Sequence, residues 1–207
     1  MKTEIVSAGD QHWLTRAVDT IADGGVVAFP TDTVYGIGSD PFQPGAVARL
    51  YQAKERPIEK AIPILFGSRG DLDRVAKNVP GWVEALLNAF WPGALTLVLE
   101  KQASVPSIVS STGTIGVRIP DHPVALELLQ AAGPLAVTSA NPSGAREAND
   151  PAQVAHLLRG SIDLIIDGGV TPGGHPSTVL DCTRKPPRVL REGPIPPEDI
   201  FSLLDRS

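Results

Sequence analysis

Hydroxyl-bearing and basic residues are concentrated in four irregular stretches of this 207-residue chain. The stretches are PTDTVYG at 30–36, KERPIEK at 54–60, TSANPSG at 138–144 and HPSTVLD at 175–181. Three of them directly adjoin a predicted strand, which is where α/β proteins usually place ligand sites. Their threonines, serines, lysines and arginines can donate hydrogen bonds to an anion, whereas obvious acid–base pairs are scarce. The stretches therefore indicate a binding site for an anionic ligand.

The KERPIEK stretch has two interpretations. Lysine and arginine are favoured at the carbonyl end of a helix, so Lys54, Arg56 and Lys60 could simply form a solvated helix end. Alternatively, the three cations neutralise a triphosphate, with the arginine suited to bidentate contacts. The sequence contains no G-x-x-x-x-G-K-[ST] motif, so an ATP site here would need another architecture.

Two arginines lie inside strand patterns, Arg118 in TIGVRIP and Arg191 in RVLREG. Because Val117 and Ile119 flank Arg118, its side chain must point to one face of a sheet. There it either pairs with a carboxylate or contacts a ligand. The SANPSG segment is likewise either a simple turn or a small cradle for an anion, built from serines and exposed backbone N–H groups.

Several classes of site and protein are disfavoured. His12, His122 and His156 lack the spacing of a metal site. Cys182 is the single cysteine, which excludes an intramolecular disulfide and a zinc site of several thiolates; we expect it to be a packed thiol. The net charge of −5 argues against a protein that coats nucleic acid through bulk charge.

We expect a cytoplasmic protein without a membrane partner. No window approaches the roughly 20 apolar residues that span a bilayer. The first residues include acidic side chains and no long apolar run, so no signal peptide is predicted.

Helical and strand patterns alternate along the chain, which predicts one α/β domain with a mixed sheet. One helix is expected at 13–22 with Gly24 ending it, another from Pro44 to about Glu55, and a surface helix in the C-terminal PEDIFSLLDRS. The segment AIPILF is predicted to be a buried strand that Pro63 confines to a sheet edge or a bulge.

Six motifs, in order and with suitable spacing, closely resemble the YrdC family. They are FPTDTVYGIGSD, KERP, FWPGALTLVL, GVRIPDHP, TSANPSG and STVLD followed by RVLREG. The resemblance runs from about residue 8 to about residue 197, leaving 198–207 as a short C-terminal helix or tail. It implies the short, single-domain form, with a twisted mixed sheet flanked by helices around a large, positively lined cavity.

The resemblance also implies an activity. The family converts L-threonine, bicarbonate and ATP into threonylcarbamoyl-adenylate and pyrophosphate, for the t6A modification of tRNA by a downstream transferase machinery. Magnesium is expected as a cofactor that arrives on the ATP phosphates. No catalytic nucleophile or protein-bound metal is implied, because positioning and charge neutralisation by Lys54 and Arg56 would suffice.

The resemblance can be carried over residue by residue. A loop stiffened by Thr31 and Asp32 would present the first threonine contact. The implied L-threonine contacts are Thr33, Arg118, Val137 and Ser177. The implied ATP contacts are Lys54, Arg56, Lys60, Thr114, Ser139, Glu147 and Arg191.

The chain departs from the family pattern at two positions. Many relatives have asparagine where Lys60 stands, and the longer relatives have a threonine-contacting histidine where Leu65 stands. Two alternatives compete with the synthase: a YrdC-like protein that binds double-stranded RNA or tRNA without synthase activity, and an O-carbamoylation domain. The second normally lies among zinc-finger and acylphosphatase-like parts, for which this chain has neither the length nor the cysteines.

Overall fold

The computed structural model describes residues 2–172 and 175–205. The strands are β1 Glu4–Ser7, β2 Val27–Phe29, β3 Gly36–Ser39, β4 Ile64–Leu65, β5 Ala76–Lys77, β6 Leu95–Lys101, β7 Thr114–Arg118, β8 Leu135–Ser139, β9 Leu164–Asp167, β10 Thr178–Asp181 and β11 Arg188–Arg191. The helices are α1 Trp13–Ala22, α2 Pro44–Lys54, α3 Leu72–Val75, α4 Val83–Phe90, α5 Pro123–Ala132, α6 Pro151–Leu158 and α7 Pro197–Leu204.

All strands join one mixed sheet in the order β1-β9-β2-β3-β8-β4-β7-β6-β10-β11, with β5 paired to β6. The pairs β1/β9, β2/β9, β4/β7 and β6/β10 are parallel. The pairs β2/β3, β3/β8, β4/β8, β6/β7 and β10/β11 are antiparallel. Strands that are distant in sequence therefore become neighbours in the sheet. This order brings the stretches rich in hydroxyl and basic residues toward one another.

Helices cover both faces of the sheet, and each face has its own apolar core. Ala17 of α1 and Leu128 of α5 belong to one core. Leu50 of α2, Leu86 of α4 and Ile200 of α7 belong to the other. The predicted fold class, a twisted mixed sheet flanked by helices, is confirmed.

The three predicted helices are present, but one strand prediction is wrong and one strand was not predicted. The AIPILF segment is predicted to lie at a sheet edge or bulge, whereas β4 lies inside the sheet, between β8 and β7. Pro63 is accommodated because it precedes the two-residue strand, and its carbonyl accepts a hydrogen bond from the Val137 N–H at 2.9 Å. Strand β3, in GIGS, has no counterpart among the predicted elements, because glycine has a low strand propensity.

The two ends of the described chain are built into the fold. Strand β1 pairs with β9, and α7 packs against α4. Gly24 ends α1 as predicted, two residues beyond its last helical residue, with a φ of 76°. Within residues 2–172 and 175–205, no helix is long and apolar enough to cross a membrane.

Candidate active site

A cavity lies over the central strands β4, β7 and β8 of the sheet and over the start of β3. Because β8 runs antiparallel to β4, the cavity extends across these strands and is not confined to one edge of the sheet. The last residues of these three strands, Leu65, Arg118 and Ser139, line it, together with Gly36 at the start of β3. Its volume is about 150 Å³, below the roughly 300–1,000 Å³ of typical small-molecule pockets. A nucleotide would therefore have to extend beyond the enclosed part.

The cavity unites seven of the residues singled out in the sequence. They are Thr33, Arg56, Arg118, Val137, Ser139, Ser177 and Arg191. These residues come from positions scattered between 33 and 191, so their convergence is a property of the sheet order and not of any local motif. Their roles toward threonine and ATP stay predictions.

The loop before β3 is tied by one buried hydroxyl. Thr31 Oγ1 donates to the Val34 carbonyl at 2.7 Å and accepts from the backbone N–H groups of Thr33 and Val34 at 3.2 and 3.3 Å. It also shares a hydrogen bond of 3.0 Å with Thr33 Oγ1. A hydroxyl that closes a turn onto its own backbone is a common turn device. The expected stiffening of this loop by Thr31 is present, and it fixes Thr33 at the cavity wall.

Arg118 is the most enclosed cation of the cavity, with 5% of its surface exposed. Its Nε donates to the Gly93 carbonyl at 2.8 Å, and its Nη1 donates to Thr33 Oγ1 at 3.3 Å. Its Nη2 forms an ion pair with the Asp32 carboxylate. Burial lowers the pKa of Arg118, and the negative charge of Asp32 opposes that shift. The ion pair, one of the two alternatives from the sequence, is present. Arg118 also lines the cavity, and its contact with a ligand stays a prediction.

Ser177 is held between two partners. Its hydroxyl shares a 2.7 Å hydrogen bond with Thr96 Oγ1 and accepts one from Arg191 Nη2 at 3.2 Å. The Ser177 carbonyl accepts from Nε and Nη2 of Arg191 at 3.0 and 2.8 Å. The backbone of Gly193 packs against the backbone of Pro176 and Ser177. A Cβ atom on Gly193 would lie only 2.4 Å from the Pro176 carbonyl oxygen, so this position requires glycine. Thr96 and Gly193 are therefore parts of the site that sequence reasoning missed.

Lys54 lies behind the cavity wall and is almost fully buried, with 2% of its surface exposed. Its Nζ donates to the carbonyl and hydroxyl of Ser139, at 2.5 and 3.1 Å, and to Asn141 Oδ1 at 3.3 Å. All three acceptors are neutral. Burial, with a further contribution from the positive charge of Arg56, lowers the pKa of Lys54 to about 8, and Glu147 opposes the shift. Asn141 belongs to the TSANPSG stretch but was not predicted as a site residue.

Arg56 reaches the cavity while bonding to its own loop. Its Nε donates to the Lys60 carbonyl at 3.0 Å, and its Nη2 donates to the Ala61 carbonyl at 2.9 Å. Burial lowers the pKa of Arg56. Lys60 itself is exposed and does not line the cavity; its carbonyl, rather than its ammonium group, takes part in the structure.

Two further predicted ATP residues also lie outside the cavity lining. The Thr114 hydroxyl shares a 3.0 Å hydrogen bond with Thr112 Oγ1. Glu147 is half-buried, and its negative charge acts on Lys54 and Arg191 from a distance. Leu65, flagged as a departure, does line the cavity.

The described residues hold no cluster of three or more histidine, cysteine, aspartate or glutamate side chains that could bind a metal. Burial raises the pKa of Cys182 to about 12. This thiol is therefore a poor nucleophile and behaves as a core residue.

The fold and cavity define a class: a mixed α/β domain with arginine and hydroxyl side chains converging over the central strands of its sheet. Comparison with known families makes this specific. A family model named Sua5_yciO_yrdC and described as "Telomere recombination" matches residues 19–193. The chain belongs to this family, as the motifs predicted.

Individual relatives agree with that membership. The chain is 42% identical over 197 residues to a protein of Pyrococcus abyssi named threonylcarbamoyl-AMP synthase; the match covers 94% of this chain and 58% of the relative. It is 40% identical over 207 residues to a putative threonylcarbamoyl-AMP synthase of Mycobacterium tuberculosis, covering 98% of this chain and 95% of the relative. The crystal structure of P. abyssi Sua5 complexed with L-threonine superposes with a TM-score of 0.92 at 39% identity, covering 98% of this chain and 61% of that one.

Proposed function

We propose that this protein is an enzyme that forms threonylcarbamoyl-adenylate and pyrophosphate from L-threonine, bicarbonate and ATP. The names of the P. abyssi and M. tuberculosis relatives support this activity, and the threonine complex of P. abyssi Sua5 supports an amino-acid site. The P. abyssi relative is longer, since the match covers 58% of it. The support therefore comes from the cavity of this chain as well as from the names of its relatives.

One observation carries the proposal: two kinds of cationic site meet in one cavity. Arg118 is paired with a carboxylate and lies beside the hydroxyl of Thr33. Arg56 and Arg191 line the same cavity, yet none of the ion pairs among the described residues includes them. A ligand with one carboxylate suits the first arrangement, and a polyphosphate suits the second.

The chemistry needs no nucleophilic side chain. The neutral amine of bound threonine forms a carbamate, either with bicarbonate and loss of water or with CO₂ and loss of a proton. A carbamate oxygen then attacks the α-phosphate of ATP, and pyrophosphate leaves. Arg118 and Thr33 would orient the amino acid, while Arg56, Arg191 and the nearby ammonium of Lys54 would stabilise negative charge on the phosphates. Positioning and charge stabilisation of this kind dominate catalysis of phosphoryl and nucleotidyl transfer.

Magnesium enters this scheme as part of the MgATP substrate. Mg²⁺ commonly keeps several waters and binds through substrate phosphates instead of an all-protein cage. The arginine and hydroxyl groups around the cavity are suited to the phosphates and not to the ion. The same proposal places the enzyme in the cytoplasm and gives tRNA, through a downstream transferase, as the indirect recipient of the product.

The direct test is pyrophosphate release from ATP, measured with the complete mixture and with L-threonine or bicarbonate omitted in turn, in buffer freed of CO₂. We expect release only when both are present. Release that is unchanged without threonine would refute the activity. Salt-sensitive binding of double-stranded RNA, with no turnover in the complete mixture, would instead support the RNA-binding alternative.

A further inference from the structure

Asp32 is a half-buried acidic group whose position no part of the proposed chemistry explains. Its side chain is 15% exposed and that of Arg118 is 6% exposed, so the ion pair between them is shielded from solvent. Asp32 does not line the cavity, whereas Arg118 does. The carboxylate therefore contacts the guanidinium from behind and not from the ligand side.

The hydrogen bonds of Arg118 show that the contact with Asp32 helps to fix the orientation of the guanidinium group. A guanidinium has five N–H donors in a rigid plane. Nε is bonded to the Gly93 carbonyl, one Nη1 hydrogen to Thr33 and one Nη2 hydrogen to Asp32. Each of the three nitrogens is thus anchored, which fixes the plane of the group, and two N–H groups remain for a ligand.

The charges around Asp32 identify Arg118 as its counter-ion. His122 also faces Asp32, but burial lowers the pKa of His122 despite the nearby carboxylates of Asp32 and Asp121. The imidazole is accordingly neutral near pH 7. Arg118 supplies the positive charge, and the pair as a whole is close to neutral.

We propose that Asp32 is a positioning residue for the amino-acid site: it holds the Arg118 guanidinium in the plane in which its two remaining N–H groups are available to a carboxylate in the cavity. This inference rests on the proposed function for the identity of the ligand. The ordering of Arg118 by Asp32 does not depend on that identity. Preorganisation of this kind lowers the cost of binding, because the arginine side chain is already immobilised before the ligand arrives.

The experiment compares Asp32→Ala and Asp32→Asn with the wild-type protein by calorimetric titration of L-threonine and of ATP. Asp32→Ala should weaken threonine binding about ten- to a hundredfold, the range for losing a charge-assisted hydrogen bond. Asp32→Asn keeps an oxygen acceptor for Nη2 and should lose less. ATP affinity should stay within about twofold in both, since the phosphate-side arginines do not contact Asp32.

Glu4→Gln is a matched control, because it removes the carboxylate of the exposed Arg16–Glu4 ion pair at the far edge strand β1. It should leave both affinities unchanged. Thermal unfolding of each variant separates loss of fold from loss of position. If Asp32→Ala does not fold, Asp32→Asn carries the comparison. Wild-type threonine affinity in Asp32→Ala would overturn the inference. If only Asp32→Asn folds, wild-type threonine affinity in that variant would overturn it.

A second readout needs no ligand. The Nε–H group of Arg118 should give a sharp, slowly exchanging NMR resonance in the wild-type protein, assigned by its absence in Arg118→Lys. The resonance should broaden or exchange rapidly in Asp32→Ala, or in Asp32→Asn if the alanine variant does not fold. An unchanged resonance would contradict the positioning role. Failure of the proposed function would look different: the wild-type protein would not bind threonine, while this resonance would still respond to Asp32.

Discussion

The two sides of the cavity hold their cations in different ways. On one side, Arg118 is buried against Asp32, so its charge is compensated within the protein. On the other side, Arg56 and Arg191 bond to the carbonyls of Lys60, Ala61 and Ser177, and to the Ser177 hydroxyl.

The two kinds of cation suit different tasks, because one favours selective recognition of a ligand and the other favours electrostatic attraction of an anion. A buried cation with a carboxylate partner keeps its geometry but offers little net charge, which suits recognition of one carboxylate on a zwitterion. Cations bonded only to neutral groups retain their charge, and a polyanion can recover the free energy that their desolvation cost. We infer that the compensated side selects the amino acid and that the uncompensated side binds the phosphates.

The largest effect is expected on the uncompensated side. Arg56→Ala should weaken ATP binding about ten- to a hundredfold, because charge-assisted hydrogen bonds are worth about 1.5–3 kcal/mol each. Threonine affinity should change far less. Calorimetric titration with both ligands checks this prediction.

Arg184→Ala provides the control for Arg56→Ala. It removes the same charge from an exposed side chain on the β10–β11 turn and should leave ATP affinity nearly unaltered. Equal losses in the two variants would mean that general surface charge, and not the cavity, attracts the nucleotide. No loss in Arg56→Ala would return KERPIEK to its interpretation as a solvated helix end.

We expect a smaller, pH-dependent change in ATP affinity, caused by the titration of Lys54. The pKa of Lys54 is lowered to about 8, chiefly by burial, and nearby phosphates should raise it. Well below pH 8 the Lys54 ammonium is charged with or without ATP, so it leaves the ATP affinity independent of pH there. Above pH 8 the free protein has lost a proton that the complex retains, so ATP binding takes up a proton and weakens by at most about tenfold per pH unit.

Titrations at pH 8, 9 and 9.5 measure the Lys54 effect, well above the second phosphate pKa of about 6. At pH 9, the apparent binding enthalpy should also vary with the ionisation enthalpy of the buffer. Lys54→Met should bind ATP more weakly and without this pH dependence. A wild-type ATP affinity that is flat from pH 8 to 9.5 would exclude the coupling.

The same contrast explains what the sequence could predict about the site. Arg118 between Val117 and Ile119 had to point to one face of a sheet, and that prediction follows from strand geometry alone. Its carboxylate partner could not be chosen from the sequence, because Asp32 lies 86 positions away and meets it only through the order of the strands. Arg56, by contrast, bonds within its own loop, so KERPIEK was recognisable as a unit.

The missed features share a physical cause. Strand β3 is rich in glycine, which lowers its strand signal, yet the glycines are needed there: a Cβ on Gly36 would lie 2.8 Å from Val137 Cγ1. Thr96 and Gly193 act through contacts with Ser177 across the fold. Such contacts leave no periodic pattern. Pro63 predicts a sheet edge or bulge because it has no N–H to donate. In the fold only its carbonyl is used, which accepts from the Val137 N–H, so β4 can lie inside the sheet.

The most direct test of the two-sided cavity is the titration of Arg118→Lys with L-threonine and with ATP, alongside thermal unfolding. Lysine keeps the charge opposite Asp32 but lacks the rigid fork. The account predicts that threonine affinity falls by at least about tenfold, the lower end of the range for a lost charge-assisted hydrogen bond, while ATP affinity stays within about twofold. Normal threonine binding in a protein that merely unfolds at a lower temperature would contradict it and leave Arg118 as a structural ion pair.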